Sequence, residues 1–142
     1  MKNFVGGYWV DVSQSDLVPV INPATKERIG NCPLGSAADV QKAVVAAKEA
    51  FQTWKRVPPT DRIQYLFKVK ALLEENFESL ARSITEENGK TLVEARGSMR
   101  RAIQMVETAC AIPTMLMGEA LDNIANGIDC VSLRRPMGVF AA

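Results

Sequence analysis

Between Ser36 and Pro113 the apolar residues recur at helical spacing in successive stretches, and that periodicity limits the fold more than any other feature. Val40, Ala43, Val44, Ala47, Phe51 and Trp54 form one stripe behind Ser36-Ala37-Ala38-Asp39, which has the spacing of a capping box. The spacing predicts a helix over 37–55, closed by Val57-Pro58-Pro59, since the residue before a proline avoids the helical region. A second helix opens at Thr60-Asp61, with Ile63, Leu66, Phe67, Val69, Leu73, Phe77, Leu80 and Ile84 as its stripe. Glu74-Glu75-Asn76 is where it would break, with Asn76 capping a second piece, and Gly89 is a stop. Thr91-Leu92-Val93-Glu94 is another capping box. The third helix then places Leu92, Ala95, Met99, Ala102, Val106 and Ala109 on one face, until Pro113 kinks or ends it.

The flanks read differently. Phe4-Val5 and Tyr8-Trp9-Val10 surround Gly6-Gly7, a two-residue hairpin signal. Val18 to Ile21 is a second strand-like run, Asn22-Pro23-Ala24-Thr25 a turn, and Ile29 resumes a strand that Cys32-Pro33-Leu34-Gly35 closes. Such a small sheet needs something else to pack on. Beyond Leu121, residues Asn123, Asn126 and Gly127 read as a loop, and Val131 and Leu133 alternate with polar residues as in a strand. Val139-Phe140-Ala141-Ala142 reads as the start of a buried strand that the sequence leaves unfinished, which suggests a truncated domain.

Composition removes several kinds of chemistry. The 142 residues carry 17 basic and 16 acidic side chains, a net charge of +1, so no global field favours nucleic acid or a membrane surface. The absence of His removes His-based triads, His metal ligands and His general bases from these residues. Cys32, Cys110 and Cys130 lie far apart without a C-x-x-C pair, which argues against zinc and a disulfide framework and suits a reducing compartment. They read as buried or structural thiols rather than nucleophiles. No apolar stretch approaches the roughly 20 residues of a spanning helix, and no secretory leader is signalled. The glycines build no G-x-G-x-x-G or G-x-x-x-x-G-K loop.

Arg96, Arg100 and Arg101 form a basic cluster on the third helix. Arg101 has only Gly97, Ser98, Gln104 and Met105 at its i±3 and i±4 positions, so its own helix offers no acidic partner. It lies beside Ala102, at the edge of the expected stripe. Such an Arg waits for a carboxylate or phosphate, or for a cross-helix bridge to Glu86, Glu87 or an unseen domain. Glu86-Glu87-Asn88-Gly89-Lys90 reads first as a solvated helix end.

Taken in order, Phe4-Val5-Gly6-Gly7, Ile21-Asn22-Pro23-Ala24-Thr25, the run Ala47 to Trp54, Arg62, Glu87-Asn88-Gly89-Lys90-Thr91 and Arg135-Pro136-Met137-Gly138-Val139 resemble the N-terminal segment of the aldehyde dehydrogenase superfamily. Val106-Glu107, Ala109-Cys110 and Leu116-Met117-Gly118-Glu119 resemble its CoA-acylating methylmalonate-semialdehyde branch. The resemblance implies an α/β fold in which N-terminal strands and three helices precede a Rossmann-like sheet. Residues 1–120 would belong to the NAD-binding domain, 121–136 would begin an oligomerisation arm, and 137–142 would start the cofactor-domain strand. It implies NAD as cofactor, CoA as co-substrate, a small-molecule semialdehyde as substrate, a cytoplasmic homo-oligomer, and no nucleic-acid or membrane partner. The family's nucleophilic Cys, catalytic Glu and cofactor glycines have no counterparts in these residues, which implies that the chain alone is inactive. Arg101 matches a position implied to meet the substrate carboxylate. The Ile21 carbonyl and Glu87 match positions that in some members hold a monovalent cation. The alternatives are a non-acylating aldehyde dehydrogenase, a helical interaction module and a poorly folding remnant.

Overall fold

The computed structural model describes residues 2–12 and 16–141. Two hairpins come first, β1 (Asn3–Val5) with β2 (Tyr8–Val10) and β3 (Leu17–Ile21) with β4 (Arg28–Pro33). The helices follow: α1 (Ala37–Trp54), α2 (Pro59–Glu75), α3 (Phe77–Asn88), α4 (Leu92–Cys110) and the single turn α5 (Ile112–Met115). A third hairpin, β5 (Glu119–Ala125) with β6 (Ile128–Ser132), precedes an irregular tail. All three sheets are two-stranded and antiparallel.

Both capping boxes form. The Asp39 backbone N–H donates to Ser36 Oγ at 3.3 Å, and the Ser36 N–H donates to Asp39 Oδ2 at 2.8 Å. Thr91 and Glu94 repeat the exchange at 3.3 and 3.1 Å, so each helix start satisfies two otherwise orphaned donors. Pro59 occupies the first position of α2, where a missing N–H costs nothing. The second stretch divides at Asn76. Its side-chain amide donates back to the Leu72 carbonyl at 2.9 Å, closing α2, while its own carbonyl accepts from Leu80 as α3 begins. The division read at Asn76 thus forms, and the second and third expected helices become α2, α3 and α4. Gly89 ends α3 at φ 76°, and a Cβ there would stand 2.7 Å from Pro23 Cγ. Glycine is thus required twice over, by the left-handed turn and by the close approach of the β3–β4 turn.

Helix α4 lies against α2 and α3. Ala81 and Ala95, both fully buried, let α3 and α4 approach closely, and Met99, Leu73, Phe77, Leu80, Ile84 and Leu92 fill in around them. The buried row of α4 is Ala95, Met99 and Ile103, at strict i, i+4 spacing. This corrects the expected stripe: Ala102 is exposed and Ile103 takes the core position. The stripe faces two helices at once, so one residue of rotation was not fixed by periodicity alone. Helix α1 buries no residue and touches the rest through β1 and through Trp54, whose ring meets Tyr65 edge-on at 5.6 Å.

The hairpin at Gly6-Gly7 forms with Val5 opposite Tyr8, and the Phe4 and Trp9 rings pair across it at 5.1 Å. The Asn22 turn forms as read, with Asn22 Oδ1 accepting from the Ala24 N–H at 2.9 Å. The segment read as a loop around Asn123 is instead strand β5, and only Asn126-Gly127 forms the turn. The register shifts between Leu121 and Ala125, where Asn123 sits at φ 50°. There the Asn123 N–H donates to Asp129 Oδ1 at 2.9 Å, and Asn123 Oδ1 accepts from the Gly127 N–H at 3.0 Å. Side chains thus replace ladder bonds at a bulge, and neither face of β5 is buried, so no alternation marked it. Leu133 falls outside β6. The strand expected from Val139 forms no pairing through Ala141, and Ala142 lies outside the described residues.

Candidate functional site

Helix α4 carries the three arginines, and its packing separates them. Arg96 is held by Glu78 of α3 in a two-pronged bridge, Nε to Oε1 at 2.8 Å and Nη2 to Oε2 at 2.9 Å. That hydrogen bonding lowers the Glu78 carboxyl below its ordinary 4.5 and raises the Arg96 guanidinium. Arg100 lies over the Phe77 ring, 5.2 Å from its centroid. Arg101 is exposed, and among the described residues it has no ion pair, hydrogen bond or ring contact. The cross-helix bridge to Glu86 or Glu87 does not form. Arg101 also lies beside exposed Ala102, away from the buried row.

Two further charged groups of the frame, Lys70 and Glu94, are also held. Lys70 of α2 bonds Glu74 at 3.0 Å and Glu107 of α4 at 3.3 Å, which raises its pKa. Glu94 is lowered by its hydrogen bonds to the Thr91 side chain and backbone. Because Glu78 and Glu94 titrate lower folded than unfolded, their stabilisation is complete above 4.5 and is lost as pH falls through the folded values. The denaturation midpoint is accordingly expected to fall between neutral pH and acid below 4.5, and Glu78→Gln to flatten that slope. An unchanged slope in Glu78→Gln would remove the bridge from the account.

Cys32 and Cys130 are exposed and Cys110 is half-buried, all three free, so burial, one of the two alternatives read from the sequence, is corrected for Cys32 and Cys130. The first two lie on hairpins with an uncovered face. Glu86 and Glu87 are exposed at the end of α3, as a solvated helix end should be. Glu87 and Val20 line one open hollow of about 400 Å³ between α3 and the β3–β4 hairpin; Ile21 is not part of its lining. Among the described residues no three His, Cys, Asp or Glu side chains cluster as a metal site would need. Nor is any helix among them long and apolar enough to cross a membrane.

A second group of cations escaped the sequence reading. Lys55, Arg56 and Arg62 meet Arg134 and Arg135 around a hollow of about 370 Å³ between the α1–α2 turn and the tail. The signal was two dibasic pairs, Lys55-Arg56 and Arg134-Arg135, but only the fold brings them together.

The sequence matches the Aldehyde dehydrogenase family over residues 9–142. The chain belongs to the aldehyde dehydrogenase family. It is 48% identical over 141 residues to malonate-semialdehyde dehydrogenase 2 of Shouchella clausii (strain KSM-K16), covering 99% of this chain and 29% of that protein. The same figures hold for malonate-semialdehyde dehydrogenase 1 of Bacillus thuringiensis (strain Al Hakam). Among solved structures, the methylmalonate-semialdehyde dehydrogenase of Oceanimonas doudoroffii superposes with a TM-score of 0.87 at 38% identity, covering 94% of this chain and 27% of that one. An NAD-dependent benzaldehyde dehydrogenase of Corynebacterium glutamicum gives 0.80 at 27% identity, over 89% and 28%. The chain thus spans less than a third of the relatives it matches, and its strands and helices match the N-terminal part of the aldehyde dehydrogenase fold.

Proposed function

We propose that this chain forms the N-terminal part of an NAD-dependent, CoA-acylating dehydrogenase whose substrate is methylmalonate semialdehyde or its unmethylated homologue. The observation that carries this reading is the 48% identity over 141 residues to proteins named for a semialdehyde with a free carboxylate. The overall reaction converts methylmalonate semialdehyde, NAD and CoA to propionyl-CoA, CO2 and NADH. NAD supplies the hydride acceptor. The described residues offer it no glycine-rich phosphate cradle, so no step on the cofactor is assigned to them, and none of the three cysteines is assigned as nucleophile.

What this chain contributes is the grip on the substrate's far end. The substrate bears a carboxylate beside the reacting aldehyde. Arg101, exposed and unpartnered on a rigid 19-residue helix, offers a planar fork that matches a carboxylate. Arg96 and Arg100 are already engaged and do not compete for it.

The test uses a chimera in which this chain replaces the matching 29% of the Shouchella clausii protein. Arg101→Leu is expected to raise KM for the carboxylated semialdehyde by roughly 10- to 100-fold, the worth of a charge-assisted bond, and to spare propionaldehyde. Equal losses on both aldehydes would overturn the carboxylate role. Free acid in place of acyl-CoA as product would favour the non-acylating alternative.

A further inference from the structure

We propose a second anion site, separate from Arg101, in the basic hollow between the α1–α2 turn and the tail, shaped for a diphosphate group. It does not depend on the semialdehyde reading. Five cationic side chains, Lys55, Arg56, Arg62, Arg134 and Arg135, line this hollow of about 370 Å³, and no Asp or Glu does. The chain is otherwise nearly balanced, with 17 basic and 16 acidic residues. Four ion pairs occur elsewhere among the described residues: Lys2 with Asp11, Lys70 with Glu74 and with Glu107, and Arg96 with Glu78.

Arg62 supplies the second observation. Its Nε is buried and has no hydrogen-bond partner, an unusual state for a charged donor. The half-buried Arg62 side chain lines this hollow and also, with Pro59, the adjoining hollow walled by Trp54, Tyr65 and Ile112. Lys55 Nζ is occupied by Gln52 Oε1 at 3.0 Å and by the Phe51 ring, so the open positions are those of the arginines. Arg56, Arg134 and Arg135 are exposed and, among the described residues, unpaired.

The chemistry selects the ligand. One carboxylate would leave most of this charge unmatched. A diphosphate carries several negative charges and many acceptor oxygens, and guanidinium forks bind phosphate with two parallel bonds. The occupant is therefore the diphosphate itself or the diphosphate end of a larger small molecule.

Equilibrium dialysis with labelled inorganic pyrophosphate at low ionic strength tests this on the full chain, and again on the chimera, where the remaining subunit supports the fold. The expected result is one saturable equivalent. Arg134→Ser combined with Arg135→Ser, both at exposed positions, should weaken binding about tenfold or more, while Arg82→Ser on α3 leaves it unchanged. Arg62→Lys, which keeps the charge and loses the fork, should weaken it less than Arg62→Gln. Displacement by ADP at equal affinity marks the bare diphosphate as the recognised group; tighter ADP marks a diphosphate within a nucleotide. Absence of saturable binding in chain and chimera alike, equal weakening by Arg82→Ser, or equal binding of sulfate would overturn the proposal.

Discussion

Purified by itself, the chain is expected to bind a hydrophobic dye strongly and to elute well above 15.5 kDa. Its accessible surface is 11044 Å². A folded monomer of this mass exposes about 7,200 Å². The excess, about 3,800 Å² on this chain alone, far exceeds the roughly 800 Å² that each partner gives to a standard protein–protein interface and is of the size of an extensive, obligate one. Its character is as telling as its size. Trp9 is 68% exposed, Val93 75% and Phe140 77%, and no residue of α1 is buried. Hydrophobic area on this scale belongs against other protein. In the chimera, dye binding should fall to the level of the parent enzyme. A monodisperse monomer at 15.5 kDa with little dye fluorescence would show that the chain closes on itself in some other way.

The largest point-mutation effect is expected at Ile103, the one large side chain that is fully buried among the described residues. Truncation to Ala removes its apolar contact and leaves a cavity that α2 and α4 cannot readily close. Such changes cost about 2–5 kcal/mol, against a whole-domain stability of about 5–15 kcal/mol. Ile103→Val should cost about 0.5–1.5 kcal/mol, since one methyl is lost. Met105, two residues on and 67% exposed, is the control, and Met105→Ala should stay within about 0.5 kcal/mol. Thermal midpoints of the chimera series measure this. Equal shifts for Ile103→Ala and Met105→Ala would place the core elsewhere.

What the sequence revealed follows from where the information is local. Capping boxes, the Gly89 stop and the Gly6-Gly7 and Asn22 turns are fixed by residues within four positions of one another, and each forms as read. The choice of Ile103 over Ala102 depends on two other helices, and periodicity alone missed it. Strand β5 was missed because no covered face imposes alternation and Asn123 bends it; Asn126-Gly127 was the hairpin signal that should have counted for more. The freedom of Arg101 was partly legible. Its i±4 neighbours showed no acid, but only the pairing of Arg96 with Glu78 and of Arg100 with Phe77 isolates Arg101.

Every strand described here is an edge. Three sheets of two strands contain no inner strand, so each strand pairs along one side and leaves the other side's backbone donors and acceptors open. In assembly terms the three hairpins are plugs without sockets. A correct neighbour would extend each into a larger sheet, whereas another copy of this chain would extend it just as readily. Which of the two arrives first becomes a race, set during synthesis by the roughly 5–20 residues added each second and by how crowded the surroundings are.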